Sequence, residues 1–351
     1  MDFGLFYFAN DNASGVESYR LLLDGARFAD THGFATVWTP ERHFHEFGGP
    51  YPNPAVTGAA VAAVTARVNI RAGSVVAPLH HPVRIAEEWS IVDNLSGGRA
   101  GIAFAPGWHP GDFALAPDEF KRRKDVMLAN LNLVRRLWRR EEVELPTGLG
   151  STAKVRSFPA PIQPELPFWL TSSGSRDTFL LAGELGAGVL THLLGQDLDE
   201  LGGKIREYRA VVADRHAAPG HVVLMLHTFL GPDRATVRSA VQEPFTEYLR
   251  SSVGLSTRAA GDLTTGEQLE QMDPDDLDFL VQRAFERHFE ADGLFGTVAD
   301  GMATLRRLAA LGVDEVACLI DFIPDTDTVL AGLNYLNELK DRWNDGRAAD
   351  A

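Results

Sequence analysis

Residues 73–113 read GSVVAPLHHPVRIAEEWSIVDNLSGGRAGIAFAPGWHPGDF, and they predict a strand, a helix and a second strand. Pro82 suits the first turn of a helix because its missing N–H would be unpaired there. Apolar residues then recur at helical spacing until Gly97-Gly98 stops the run. Parallel α/β folds carry their sites on loops after the carboxyl ends of strands. The loop residues expected to meet there are His80, His81, Trp108, His109 and Asp112.

The same alternation of strand and helix continues along the whole chain. Eight βα units close into a barrel more readily than they extend an open sheet. We therefore predict an α/β fold, a (β/α)8 TIM barrel, as a single domain over residues 1–351. The predicted strands are Phe3–Phe8, Ala35–Trp38, Val68–Val76, Gly101–Ala105, Pro167–Thr171, Ala187–Leu190, Val222–Leu230 and Glu315–Ile320.

Two long connections interrupt this alternation, and a compact domain rarely carries such connections without a purpose. The first covers about residues 140–166, is rich in Pro, Gly and Ser, and predicts an extended excursion before the fifth strand. The second covers about residues 231–295 and predicts an inserted helical segment between strand 7 and its following helix. A lid over the barrel mouth, a packing element and a dimer surface all fit it. Residues 344–351 predict a disordered tail.

Composition excludes several classes of partner. A net charge of −15 disfavours nucleic acid, whose phosphates need Lys and Arg. No apolar run approaches the ~18 residues of a membrane span. The N-terminal MDFGLFYFAND lacks a secretory signal, so we expect a cytoplasmic protein. Cys318 is the single cysteine, which excludes an internal disulfide.

The segment after the second strand, TPERHFHEFGGPYPNP, is dense in residues that carry chemistry. Glu41, Arg42, His43, His45 and Glu46 fall within six positions. The spacing of His43 and His45 also suits metal ligation. A metal-dependent barrel hydrolase therefore stays open as an alternative, with further ligands drawn from His192, His227 and Asp321.

The fifth predicted strand runs into a helix that starts with serines. Free N–H groups, hydroxyls and a guanidinium there indicate an anion site, most naturally for phosphate. An ordinary serine N-cap is the alternative. Residues after the sixth strand are placed to line the same site. The candidates are Ser172, Ser173, Gly174, Ser175 and Arg176 after strand five, and Thr191, Gly195 and Gln196 after strand six.

Three segments together resemble the luciferase-like flavin-dependent monooxygenases, a superfamily of eight-stranded α/β barrels. They are VWTPERHFHEFGGPYPNP, the hinge HHPVR with its helix through VDNLSGGR, and GIAFAPGWHPGDF. The resemblance extends over nearly the whole chain. GWHPGDF, LTHLLGQ, LFGTVADGMATLRRL and VDEVACLIDF resemble most closely the subgroup associated with polyketide and nonribosomal peptide natural-product biosynthesis.

The resemblance implies reduced FMN at the carboxyl end of the barrel. The isoalloxazine would lie near the third strand, at Gly73 and Ser74 and beside Trp108, with a non-proline cis peptide at Gly73-Ser74. The phosphate would lie near the fifth strand, held by Ser173 and its neighbours. The implied phosphate contacts are Ser172, Ser173, Gly174 and Arg176, with Thr191, Gly195 and Gln196 beside them.

The resemblance also implies the reaction. Reduced FMN and O2 would give a C4a-peroxyflavin, which oxygenates a natural-product intermediate or a carrier-protein-tethered group. An apolar mouth of Phe6, Phe8, Trp38 and Trp108 would exclude water. No GxGxxG motif follows a strand, so we expect a separate flavin reductase to supply reduced FMN. We expect a homodimer.

The predicted catalytic residues are His43, Arg42 and His109. His43 would act as general acid or base, and Arg42 would steady negative charge or hold an acidic substrate. In bacterial luciferases the residue aligned with Arg42 is the catalytic histidine, so that role does not transfer. A basic residue of those luciferases aligns with Pro106, and we expect Arg176 to take over its phosphate contact.

His80 and His81 are interpreted as hinge residues without a catalytic role. An F420-dependent oxidoreductase of the same superfamily and a flavin-binding protein without catalysis remain alternatives to the monooxygenase.

Overall fold

This computed structural model describes residues 1–8, 15–45, 48–259 and 274–350. Glu46 and the middle of the predicted insertion lie outside the described residues. Eight parallel strands close into a barrel, with β10 pairing along the end of β9. The strands are β1 Asp2–Phe6, β2 Thr36–Thr39, β3 Asn69–Val76, β4 Ala100–Ala105, β5 Val143–Pro146, β6 Thr152–Val155, β7 Phe168–Ser172, β8 Gly188–His192, β9 Val222–Leu230, β10 Leu294–Gly296 and β11 Glu315–Leu319.

Helices surround the barrel and follow its strands, which confirms the predicted (β/α)8 class. They pack apolar faces on strands that are buried on both sides and are mainly apolar. The helices are α1 Arg20–Thr31, α2 Pro54–Val64, α3 Pro82–Ser96, α4 Arg123–Trp138, α5 Arg176–Leu185, α6 Leu198–Arg215, α7 Arg234–Ala259, α8 Pro274–Arg287, α9 Val298–Leu311 and α10 Thr326–Asp350.

One buried ion pair links four barrel strands near their amino ends. Oε2 of Glu315, the first residue of β11, lies 2.7 Å from Nη1 of Arg71 in β3. Oε1 of Glu315 accepts a hydrogen bond from Trp38 Nε1 at 2.8 Å and another from the Thr36 hydroxyl. The Arg71 guanidinium also stacks on Trp169 of β7 at 4.3 Å. Trp38 is buried, and a Cβ built on Gly73 would lie 3.2 Å from its ring, so its place in the mouth stays a prediction.

Outside the barrel wall, the elements differ from expectation in the first excursion and in the tail. The first excursion contains the antiparallel hairpin β5–β6, which the sequence interpretation missed. The second contains α7, α8 and the short strand β10, in the predicted place between the seventh barrel strand and its helix. The expected disordered tail is wrong for residues 344–350, because α10 continues to Asp350. Residue 351 lies outside the described residues.

Candidate active site

Glu41 lies just beyond β2 and receives three hydrogen bonds in the barrel mouth. Nε2 of His43 and Nε2 of His80 both donate to its Oε1, at 2.9 and 2.6 Å. The backbone N–H of Val76, the last residue of β3, donates to its Oε2 at 2.8 Å. Because an ionised carboxylate only accepts, both imidazoles must carry a proton on Nε2. Glu41 therefore sets the orientation of both histidines.

The charges of this cluster support one another. Burial alone would raise the pKa of Glu41, but hydrogen bonds from His43 and His80 hold that pKa below its ordinary value of 4.5. Burial alone would lower the pKa of His80, but the hydrogen bond and charge of Glu41 raise it above 6.5. Glu41 and His80 therefore form a carboxylate–imidazolium pair below the raised pKa of His80.

Arg42, the next residue, pairs with Asp112, which follows β4. Its Nη1 donates to Oδ2 of Asp112 at 2.5 Å, and its guanidinium lies 5.4 Å from the centroid of the Trp108 ring. Arg42 is 2% exposed and Trp108 is 47% exposed. Burial lowers the pKa of Arg42 and raises that of Asp112, in each case against the attraction of the partner. The desolvation of this pair is therefore incompletely compensated.

His109 has a local structural role beside this pair. It is the N-cap of a 3₁₀ turn over Pro110–Leu115, and its Nδ1 accepts a hydrogen bond from Gly111 N at 3.2 Å. The same nitrogen lies 3.7 Å from Oδ1 of Asp112, beyond hydrogen-bonding distance. His109 thus lies in the mouth as predicted, and its catalytic role stays a prediction.

The third strand ends in the backbone feature that the resemblance implied. The Gly73-Ser74 peptide is cis, and the pairing register of β3 with β4 shifts between Gly73 and Val75. A Cβ at Gly73 would lie 2.6 Å from the Phe6 ring, so this position requires glycine. The Ser74 and Thr171 hydroxyls are 2.5 Å apart. This contact joins the ends of β3 and β7 across the barrel mouth.

Three of the predicted anion residues, Ser172, Thr191 and Gln196, form one hydrogen-bonded group. The Thr191 hydroxyl donates to the Ser172 carbonyl at 2.8 Å and accepts from Gln196 Nε2 at 2.9 Å. Oε1 of Gln196 in turn accepts from Lys204 Nζ at 3.0 Å. A Cβ built on Gly174 would lie 3.5 Å from the Gln196 side chain, so the loops after β7 and β8 are in contact. The sequence interpretation did not include Lys204.

The start of α5 differs from an ordinary capped helix. Ser175 is its N-cap but makes no side-chain capping hydrogen bond. By contrast, Asp197 and Thr297 close the starts of α6 and α9 with capping boxes. The alternative of an ordinary serine cap is therefore wrong. The first turn of α5 presents backbone N–H groups that can donate hydrogen bonds to an anion.

The remaining predicted anion residues take different positions. Ser173 is exposed, and Gly195 has a positive φ of 88° in the loop after β8. The Arg176 side chain is 60% exposed and its Nε lies 2.6 Å from Oε2 of Glu207. Arg176 is thus engaged by α6 in this structure, and its phosphate contact stays a prediction.

The residues of the alternative metal site do not assemble as expected. The Asp321 carboxylate accepts the backbone N–H of Phe8 at 2.8 and 2.9 Å. His227 lies among aromatic rings of the insertion, and burial lowers its pKa. Burial also lowers the pKa of His192, to about 4. Possible ligand atoms lie within 4.8 Å of one another at Glu41, His43 and His80 instead.

Sequence reasoning missed three contributors to the mouth. It interpreted His80 as a hinge, whereas His80 binds Glu41; only His81 caps a helix, accepting from Val83 N at 3.3 Å. It gave no role to Glu41, although Glu41 stood in the marked cluster. It also did not predict that Asp112 pairs with Arg42. The sequence did contain a signal, because Glu41, His80 and Asp112 follow three adjacent barrel strands. Residues after the carboxyl ends of such strands meet at one mouth of the barrel.

The fold and site define an α/β barrel with a hydrogen-bonded Glu41–His43–His80 cluster and a helix start without a side-chain cap at its mouth. The family model for luciferase-like monooxygenases matches residues 1–315, and the chain belongs to that family. The oxygenase component of a flavin-dependent trigonelline monooxygenase from Acinetobacter baylyi is 26% identical over 258 residues, 69% of each chain. The homologues include named monooxygenases, and this chain is an enzyme of that kind.

Solved structures share the fold. Monooxygenase RslO1 from Streptomyces bottropensis has a TM-score of 0.75 at 23% identity, covering 96% of this chain and 98% of that one. A 3,6-diketocamphane monooxygenase from Pseudomonas putida, in complex with FMN, has a TM-score of 0.71 at 19% identity, covering 91% of each chain. An F420-dependent secondary alcohol dehydrogenase has a TM-score of 0.70 at 17% identity, covering 96% and 97%.

Within the described ranges, every helix is too short or too polar to span a bilayer.

Proposed function

We propose that this protein is an FMN-dependent monooxygenase that oxygenates a natural-product intermediate, free or tethered to a carrier protein. The observation that carries the proposal is the Glu41–His43–His80 cluster, which joins the carboxyl ends of β2 and β3. It supports a base at His43, oriented by Glu41, next to the strand where the resemblance implies the flavin ring.

The residues present fit FMN. The start of α5, without a side-chain cap, offers backbone N–H groups to the phosphate. Ser172, Thr191 and Gln196 form the adjoining polar wall, and Lys204 adds a positive charge. Gly73 and Ser74 would support the ring from β3. Reduced FMN, when bound, supplies the electrons that activate O2.

His43 has a defined acid–base atom. Since its Nε2–H donates to Glu41, the lone pair of the neutral ring lies on Nδ1. The His43 side chain is 10% exposed, so Nδ1 works in a mouth from which most water is excluded. His43 would take a proton at Nδ1 and return it there, while Glu41 stabilises the resulting imidazolium. Glu41 is a positioning residue in this account.

The electron source is proposed to be a separate flavin reductase. The trigonelline enzyme is named as an oxygenase component, which supports a two-component arrangement here. With NADH and FMN alone, no turnover is expected, and addition of a reductase should start it. Turnover with NADH and no reductase would contradict this part of the proposal.

A homodimer is proposed through the outer faces of α2 and α3. Val56 is 66% exposed, Ile91 46% and Leu95 56%, on two helices that pack against each other. Exposed large apolar side chains on neighbouring helices support an interface on this side of the barrel. Light scattering should give twice the chain mass, and Leu95→Glu should shift the protein toward a monomer. A monomeric parent protein would contradict the proposal.

Flavin binding tests the function directly. Titration of the protein with FMN and with riboflavin isolates the phosphate, because riboflavin lacks only that group. We expect tighter binding of FMN, and a further loss in Arg176→Ala if Arg176 leaves Glu207 for the phosphate. Equal affinity for the two flavins would contradict the assigned phosphate site. Unchanged FMN affinity in Arg176→Ala would show that Arg176 does not belong to the phosphate site.

An F420-dependent oxidoreductase is the second candidate, because a solved F420-dependent dehydrogenase shares the fold. That enzyme class would share the barrel and need no O2. Substrate turnover with reduced FMN that stops without O2 favours the monooxygenase, whereas anaerobic turnover with F420 favours the second candidate. A metal-dependent hydrolase would instead lose activity on treatment with a chelator.

A further inference from the structure

The Arg42 guanidinium has a hydrogen-bonding edge that the protein does not use. Its Nη1 is paired with Asp112, whereas Nε and Nη2 are buried and have no hydrogen-bond partner in the part of the chain that the structure describes. A buried charged donor without a partner bears the full cost of its desolvation. The two N–H groups are therefore suited to an acceptor that comes from outside the chain.

The geometry of this edge selects the chemistry of the acceptor. Nε–H and Nη2–H leave the planar guanidinium in parallel and form a fork, which matches the two oxygens of a carboxylate. We propose that Arg42 binds the carboxylate of an acidic organic substrate through this fork. The inference rests on the proposed function, since it takes the barrel mouth to be the substrate site.

The position of the fork agrees with that role. Arg42 follows β2 and Asp112 follows β4, and β3 lies between these strands in the sheet. The ion pair therefore crosses the carboxyl end of β3, where Glu41 holds His43. A substrate held by Arg42 lies beside the proposed base.

The surroundings of Arg42 fix its position and include one half-exposed aromatic ring. A Cβ on Gly48, which has a φ of +79°, would lie 2.9 Å from Cγ of Arg42, so the loop can wrap closely around the side chain only with glycine there. Trp108 covers the guanidinium and is itself 47% exposed. A ligand would approach the guanidinium past this half-exposed ring.

The test measures binding to the intact protein in the absence of flavin. Octanoate and octanamide serve as probes, because they differ only in the head group. By calorimetry we expect the parent protein to prefer octanoate by about tenfold or more. Arg42→Lys, which keeps the charge and loses the fork, and Arg42→Gln should both lose this preference. Arg84→Gln, which removes an exposed arginine at the start of α3, should keep it.

Two results would overturn the inference. One is equal affinity of the parent for both probes, or a preference that survives in both Arg42 variants. The other is loss of FMN affinity in Arg42→Lys with the octanoate preference intact, which assigns the fork to the flavin. A protein that prefers octanoate through Arg42 but does not bind FMN would leave this inference standing and refute the proposed function.

Discussion

At the scale of single residues, Glu41 controls the proton positions of two histidines. Because Val76 N–H must face an oxygen, a glutamine at position 41 would place its carbonyl there and its NH2 group toward His43 and His80. Both rings would then have to accept at Nε2, and the neutral His43 proton would move to Nδ1.

Glu41→Gln therefore should remove the base while preserving the shape of the site. We expect turnover to fall by about 10²–10⁴-fold, the usual contribution of general acid–base catalysis. Nitrogen-15 NMR of the His43 ring should show the change of tautomer independently of activity. His81→Gln, at the neighbouring residue that only caps α3, should retain turnover. A Glu41→Gln enzyme with parental turnover would refute the assigned base.

The raised pKa of His80 predicts a pH dependence of stability. A group whose pKa is raised on folding contributes stability below its unfolded value of 6.5, and this contribution disappears as pH rises through the folded pKa. His80→Gln can still donate to Glu41 but carries no charge. The melting temperature of the variant should lie further below that of the parent at about pH 6 than at about pH 8.5. A pH-independent difference would show that the ion pair does not contribute.

The stability that Glu41 contributes depends on pH with the opposite sign. The pKa of Glu41 is lowered in the folded protein, so its contribution is present above its unfolded value of 4.5 and is lost as pH falls through the folded value. The Glu41–His80 pair therefore stabilises the fold most between the unfolded pKa of Glu41, 4.5, and the unfolded pKa of His80, 6.5.

At the scale of elements, the loop before α5 depends on Gly174, whose φ is +105°. A Cβ there makes only ordinary contact with Gln196, so Gly174→Ala acts through backbone strain of about 1–3 kcal/mol. We expect weaker FMN binding and little change in riboflavin binding. Gly97→Ala introduces similar strain at φ +72° beyond the far end of α3, and should lower stability without affecting FMN affinity. Equal effects of the two variants on FMN affinity would contradict the site.

The elements also show what sequence can and cannot predict. The barrel strands are apolar runs bounded by polar turns, so their positions followed from the pattern of residues. The position of the hairpin β5–β6 did not follow from such a pattern, because each strand has only four residues and most of these side chains are exposed or partly exposed. The pairing of Glu41 with His80 spans 39 positions and depends on β2 lying beside β3, which no local pattern contains. The direction of Trp38 likewise depends on Glu315, 277 positions away.

At the scale of the whole molecule, closure of the barrel depends on the buried Glu315 carboxylate. Glu315→Ala would leave Arg71 buried without its partner, and such a loss typically costs about 3–5 kcal/mol. Urea denaturation should show a fall of that size in the free energy of unfolding. Glu141→Ala, which removes exposed ion pairs with Arg136 and Arg139, should change stability little. Similar effects of both substitutions would refute a special role for the buried pair.

The central claim is that the barrel mouth uses reduced FMN and O2 to oxygenate an organic substrate. Its most direct test is mass spectrometry of reactions under ¹⁸O₂ with FMN, NADH, a flavin reductase and a panel of organic acids and carrier-bound acyl groups. We predict a product that contains one oxygen atom derived from ¹⁸O₂ and that fails to form without O2. A product that forms without O2, or whose new oxygen comes from water, would contradict the account.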